Sequence, residues 1–230
     1  MVNRTVVQSE RVRSLNHKRR SNGRFVVYWM QASQRAEYNH ALEYAIEQAN
    51  DLGKPLLVHF GLTDRYSEAN ARHYRFMLEG LKETQQALRE RGIKFVLRRE
   101  SPQLGIIDVA RQACSVAVDR GYLSTQRDWR NYAAQHLECP LVQVETDVIV
   151  PVEQASSKEE YSAATLRPRI HRHLPDFLVP LLARQCEDKG RSDLLFGDGE
   201  HVRRPHPVSG WFAKAVTTSG VPRVTPHDLR

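Results

Sequence analysis

The sequence predicts an α/β protein built on a parallel, doubly wound sheet of five strands. Two observations carry this. Short apolar runs rich in β-branched and aromatic residues recur along residues 25–145, and each gap between them holds a segment with apolar residues at helical spacing. Strands joined by amphipathic crossovers pair in parallel, and the helices then cover both faces of the sheet.

The elements follow in order. FVVYWM (25–30) is a first strand, and EYNHALEYAIEQAN (37–50) is a helix with Leu42, Ala45, Ile46 and Ala49 on one face. PLLVHFGL (55–62) is a continuous apolar run, as a strand covered on both sides requires. NARHYRFMLEGLKETQQALRERG (70–92) aligns Tyr74, Met77, Leu78, Leu81 and Leu88 and stops at Gly92. IKFVLRR (93–99), a Pro-started helix over 102–113, SVAVDRG (115–121), a helix over 124–137 and PLVQVE (140–145) repeat the cycle. The resulting unit, residues 25–150, is Rossmann-like.

Three further segments flank it. Residues 1–24 hold seven Lys/Arg against one Glu, so most of the net charge of +7 sits in a basic N-terminal arm, which reads as a solvated segment or a non-specific phosphate contact. Residues 151–183 form a polar, partly helical connector carrying Arg167, Arg169, His171, Arg172 and His173. Residues 184–230 are rich in Gly and Pro and form a poorly packed C-terminal extension, with helical pieces at 175–186 and 205–219 and a mobile stretch at 193–204. No stretch approaches the roughly 18–20 apolar residues of a membrane helix, and the reading places the protein in the cytoplasm. Cys114, Cys139 and Cys186 are far apart and odd in number, as reduced core thiols are, and His17, His40, His59, His73 and His136 lack the spacing of a metal site.

In doubly wound sheets ligands bind beyond the carboxyl ends of the strands, where the strand order reverses. Here that selects MQASQR (30–35) after the first strand and DRGYL (119–123) after the fourth. Neither has the glycine pattern of a phosphate loop, so ordinary nucleotide binding is not indicated. The candidate binding residues are Met30, Gln31, Ala32, Ser33, Arg35, Asn39, Asp119, Arg120, Gly121 and Tyr122. Arg35 and Asn39 either fasten the strand-to-helix turn, by an ion pair and a side-chain bond to backbone, or contact a ligand. Trp29 and Tyr28 lie in the first strand and read as core.

Five segments, ERVRSLN (10–16), VVYWMQASQRAEYNHALEYA (26–45), GLTDRYSEANARHYRFMLEGL (61–81), DRGYLSTQRDWR (119–130) and VPVEQASSKEEYSAATLRPRIHRHL (150–174), occur in a telling order and spacing. Through them residues 10–181 resemble the N-terminal domain of class II cyclobutane pyrimidine dimer photolyases. The resemblance implies an antenna domain ahead of a larger all-helical domain, which holds the flavin FAD and accepts the flipped-out dimer from DNA. It implies a carbon–carbon lyase: light excites reduced flavin, an electron passes to the dimer, and the cyclobutane ring splits. It also implies an 8-hydroxy-5-deazaflavin antenna where a chromophore is held, faced by residues 30–33 and 119–122.

The helical pattern does not follow Leu181. The expectation is therefore a photolyase-family protein truncated to its antenna domain and inactive alone, with the FAD domain separate if present. The last stretch, DLLFGDGEHVRRPHPVSGWFAKAVTTSGVPRVTPHDLR (193–230), resembles part of a tyrosine recombinase of the phage integrase type, and His227 and Arg230 match that family's H-x-x-R element. Such a pair one helical turn apart addresses one phosphate, but the nucleophile and remaining groups are not identifiable. Two alternatives stand beside repair: a deazaflavin-type or nucleotide-like binding module without catalysis, and a DNA-binding relic of a recombinase.

Overall fold

A computed structural model describes residues 7–188. Its six-stranded sheet runs in the order β1–β6–β5–β2–β3–β4, with β1 (Val12–Ser14), β2 (Phe25–Trp29), β3 (Leu56–Leu62), β4 (Lys94–Arg99), β5 (Ala113–Asp119) and β6 (Leu141–Val144). All neighbours pair in parallel except β1, which lies antiparallel on β6. Helices α1 (His40–Leu52), α2 (Ala71–Glu90), α3 (Pro102–Ala110) and α4 (Ser124–His136) are the crossovers, and α5 (Val152–Ala155) and α6 (Ala163–Phe177) follow.

Alternation along each strand divides the core between two faces. Val26 and Tyr28 of β2 pack with Leu42 and Ile46 of α1 and Leu78, Leu81 and Leu88 of α2. Val27 and Trp29 pack with Ile106 and Val109 of α3 and Ala133 of α4. Tyr28 and Trp29 are core, as read. On the second face α3 lies close to the sheet, because β-carbon-free Gly61 admits Pro102: a methyl built on Gly61 would stand 2.8 Å from the Pro102 Cα.

Local signals set the helix ends. Asn39 and Asn70 cap α1 and α2, and the His73 ring completes a reciprocal cap on the Asn70 backbone. After α2 the chain turns through Gly92 at φ 73°, a conformation glycine adopts without steric cost.

The sheet has six strands where the sequence predicts five. The extra strand comes from ERVRSLN within the basic arm, Val12 standing opposite Val144 and Ser14 opposite Val142. Three residues give too short a pattern to read; the open edge of β6 supplies the pairing that makes them a strand. Nor is the arm simply solvated. Val7 is core, and Arg11, 2% exposed, sends its guanidinium to the carbonyls of Glu145, Val148 and Ile149 and to the Gln8 side chain. The same group lies 5.5 Å from the centroid of the Phe177 ring, joining the arm to the end of α6. Lys18 pairs with Glu138, and Arg20 and Arg24 bond to Gln48 and Gln112.

The packed chain also runs past the expected boundary at 184. Residues 178–187 are not helical, yet Cys186 is buried against the face covered by α1 and α2. The Glu43 carboxylate accepts from the Arg184 amide at 2.8 Å and from Arg91 at 2.6 Å, while the Asn50 side chain holds the Gln185 carbonyl and the Glu187 amide, each at 3.0 Å. A buried carboxylate needs such donors, and they bind this strap to the domain. Burial raises the Glu43 pKa, against the pull of those donors. The expected helix at 205–219, the mobile stretch at 193–204, and His227 and Arg230 lie outside the described residues.

Candidate functional site

From β2 the chain crosses to β3 on one side, and from β5 to β6 on the other, so the ends of these adjacent strands flank the switch point. All ten predicted binding residues lie on the two segments that leave it. Their side chains do not all face outward.

Asp119, the last residue of β5, is fully buried. Its carboxylate reaches across to the loop after β2, where Oδ1 accepts the Gln31 amide at 2.8 Å and Oδ2 accepts the amides of Ala32 at 2.6 Å and Ser33 at 3.0 Å. The Tyr28 hydroxyl donates to Oδ1 at 3.0 Å. Burial pushes the Asp119 carboxyl above the ordinary carboxylate range, and the three loop amides pull it back. Burial, reinforced by Asp119, pushes the Tyr28 hydroxyl well up, so it remains a donor.

Asn39 fastens the same turn, as one of its two readings has it. Oδ1 accepts the Leu42 amide at 3.0 Å, capping α1, and Nδ2 faces the Tyr28 hydroxyl at 3.0 Å and the carbonyls of Ser33 at 3.1 Å and Arg35 at 2.9 Å. Arg35 pairs with Asp147 at 2.9 Å and also reaches the Tyr38 and Thr146 carbonyls. The Ser33 hydroxyl donates to Asp147 at 2.7 Å.

The opposite wall is closed by residues that the sequence did not single out. Arg130 of α4, buried, donates to the Gly121 carbonyl at 2.6 Å and to Gln31 Oε1 at 3.4 Å. Glu145 accepts the Tyr122 hydroxyl at 2.5 Å, pairs with Arg120 at 3.1 Å, and takes the Val152 amide at 3.1 Å. Burial and Glu145 both push the Tyr122 hydroxyl pKa upward. Asp147 and Arg11 lie more than a hundred residues from the segments they join, and Glu145 lies 23 from Tyr122, so no local pattern could have found them.

Met30 is wholly core, and Gln31, Ser33, Asn39, Asp119 and Gly121 are buried. Ala32, Arg35 and Arg120 are half-buried, and Tyr122 is 41% exposed beside Leu123. Among the ten predicted binding residues, one buried side-chain donor has no hydrogen-bond partner: the Gln31 Nε2 amide. The loop amides are taken by Asp119, the Arg35 guanidinium by Asp147 and the Tyr122 phenol by Glu145, which leaves the Gln31 amide without a partner. The half-buried His40 is kept neutral by desolvation first and by Arg11 and Arg35, which lower its pKa to about 4. Among the described residues no three His, Cys, Asp or Glu gather as a metal site, and no helix is long and apolar enough to cross a membrane.

The family model for DNA photolyase matches residues 26–187. The chain is 54% identical over 180 residues to the deoxyribodipyrimidine photo-lyase of Methanothermobacter thermautotrophicus, covering 78% of this chain and 40% of that protein. It is 34% identical over 158 residues to the protein of the same name from Arabidopsis thaliana, covering 67% of this chain and 32% of that one. The chain thus spans less than half the length of these curated relatives. Among solved structures, a universal stress protein from Archaeoglobus fulgidus in complex with dAMP aligns over 53% of this chain and 97% of its own, with 17% identity and a TM-score of 0.38. The family match and the α/β fold agree, and this chain belongs to the DNA photolyase family.

Proposed function

We propose that the α/β unit is the light-gathering half of a class II photolyase, serving the light-dependent repair of cyclobutane pyrimidine dimers in DNA. The observations that carry this are the 54% identity sustained over 180 residues and the family match over residues 26–187, which takes in both segments of the switch point. In this reading the unit holds an 8-hydroxy-5-deazaflavin. The unpartnered Gln31 amide, Arg35 and Tyr122 are the residues that would hold its ring edge, and Asp119, Asn39 and Arg130 keep the two walls in place. Bound there, the deazaflavin supplies absorption of violet and blue light.

Ring splitting needs reduced FAD, which the family carries in an all-helical domain. The described residues form one α/β unit followed by α5 and α6 and hold no such domain. Repair therefore depends on a flavin-bearing helical domain acting with this unit, in the cytoplasm, on dimer-containing DNA. For residues 193–230 we propose a tyrosine recombinase fragment, supported by SGVPRVTPHDLR with His227 and Arg230 at the H-x-x-R spacing. Its test is a salt-dependent mobility shift with duplex DNA that is lost when residues 189–230 are removed.

The experiment on the main reading has two parts. Protein expressed in a host that makes deazaflavins should copurify with a visible absorption band. With the purified chain, added FAD and a dimer-containing oligonucleotide, blue light should leave the oligonucleotide's dimer content equal to the dark control. A colourless protein sinks the antenna role, and dimer loss in the light sinks the division of labour.

A further inference from the structure

The phosphate-binding loops of α/β sheets work by aiming successive backbone N–H groups at an anion beyond the first strand. The loop MQASQR has no glycine, yet its geometry does the same thing. Three consecutive amides, those of Gln31, Ala32 and Ser33, converge on one carboxylate at 2.8, 2.6 and 3.0 Å. The anion they bind belongs to the protein. It is held on β5, across the switch point, and takes a fourth donor from the Tyr28 hydroxyl. The buried guanidinium of Arg130, held between the Gly121 carbonyl and Gln31, adds positive charge to the same region.

We propose that the amides of residues 31–33 form an anion site whose ligand is the chain's own Asp119, and that this internal ligand denies the switch point to phosphate groups. The argument is one of accounting. Each amide is satisfied by Asp119, so a phosphate entering from solvent would have to displace a buried carboxylate and leave it without donors beside a second anion. A ligand free of phosphate meets no such penalty. Asp119 thereby separates phosphate-free ligands from nucleotides at a fold position where nucleotides commonly bind. This claim concerns the loop alone and stands apart from the antenna reading: it holds whether or not the protein carries a chromophore.

The test is chemical rescue. In Asp119→Ala the three amides lose their acceptor, and the variant should melt at a lower temperature than wild type in chloride buffer. Sodium formate, against sodium chloride at equal ionic strength, should raise that melting temperature while leaving wild type unmoved. Titrated with inorganic phosphate or adenosine monophosphate, Asp119→Ala should show saturable binding where wild type shows none. Asp119→Asn fills the same space but turns an amide N–H₂ towards the loop donors, so it should be destabilised and deaf to formate. If Asp119→Ala does not fold in chloride, recovery of its far-UV circular dichroism in formate supports the proposal equally. A variant that ignores both formate and phosphate, or a wild-type protein that binds phosphate as tightly as Asp119→Ala, overturns it. Rescue by formate without phosphate binding overturns the exclusion of phosphate as the role of Asp119.

Discussion

Replacing Asn39 separates its two readings, and the cost can be worked from the bonds it makes. The side chain is fully buried. Its Oδ1 caps α1 at the Leu42 amide, a contribution of about 1 kcal/mol in typical helices. Its two Nδ2 hydrogens are shared among three oxygens, those of Tyr28, Ser33 and Arg35, and each net bond contributes about 0.5–1.5 kcal/mol. Asn39→Ala should therefore lose about 3 kcal/mol. Asn39→Ser keeps an oxygen at the cap and loses the other bonds, so it should lose about 2 kcal/mol. Urea unfolding followed by far-UV circular dichroism measures both, with the slope on denaturant unchanged if the native contacts alone are altered. A loss for Asn39→Ala below about 1 kcal/mol would refute the turn-fastening role. A ligand-contact role with no structural part would instead leave stability intact and abolish chromophore retention.

Three more outcomes follow from the same geometry. Arg11→Met keeps the bulk of the side chain and strips donors from the Glu145, Val148 and Ile149 carbonyls; thermal melts should show a loss of about 3 kcal/mol, and Arg11→Lys, a single point charge, should restore less than half. His40 has its pKa lowered in the fold to about 4, so the unfolded chain takes up the proton first as pH falls below about 6.5. Stability should drop by about 2 kcal/mol between pH 7 and pH 5, and His40→Gln should flatten that part of the profile in urea titrations. Gly61→Ala places a methyl 2.8 Å from the Pro102 Cα, and overpacking α3 against β3 should cost about 1–3 kcal/mol, seen as a lower melting temperature without loss of secondary structure.

The alternating pattern made the parallel sheet readable because burial on both faces writes apolar runs that few other structures need. Each of β2 to β6 falls within two residues of its expected limits. What could not be read depends on partners distant in sequence. The three residues of β1 become a strand only because β6 has a free edge, and Arg11 is a core residue only because three carbonyls of the 145–149 segment await it. The topology rule selects two loops that the structure does bring together. It could not tell which way a side chain turns. Asp119 was placed facing a ligand and instead bonds the opposite loop, since a buried carboxylate is more cheaply satisfied by three amides of its own chain. The strap to Cys186 was hidden for a similar reason: its anchor, Glu43, sits on a helix face that composition would assign to solvent.

The account stands on a switch point that accepts an aromatic chromophore while refusing phosphate. The most direct measurement is an equilibrium titration of the 230-residue chain with 8-hydroxy-5-deazaflavin, followed by the change in the chromophore's fluorescence anisotropy, beside a parallel titration with adenosine monophosphate. The prediction is saturation at one deazaflavin per chain, weakened in Gln31→Leu, and no saturation with the nucleotide. Saturable nucleotide binding together with a flat deazaflavin curve would contradict it.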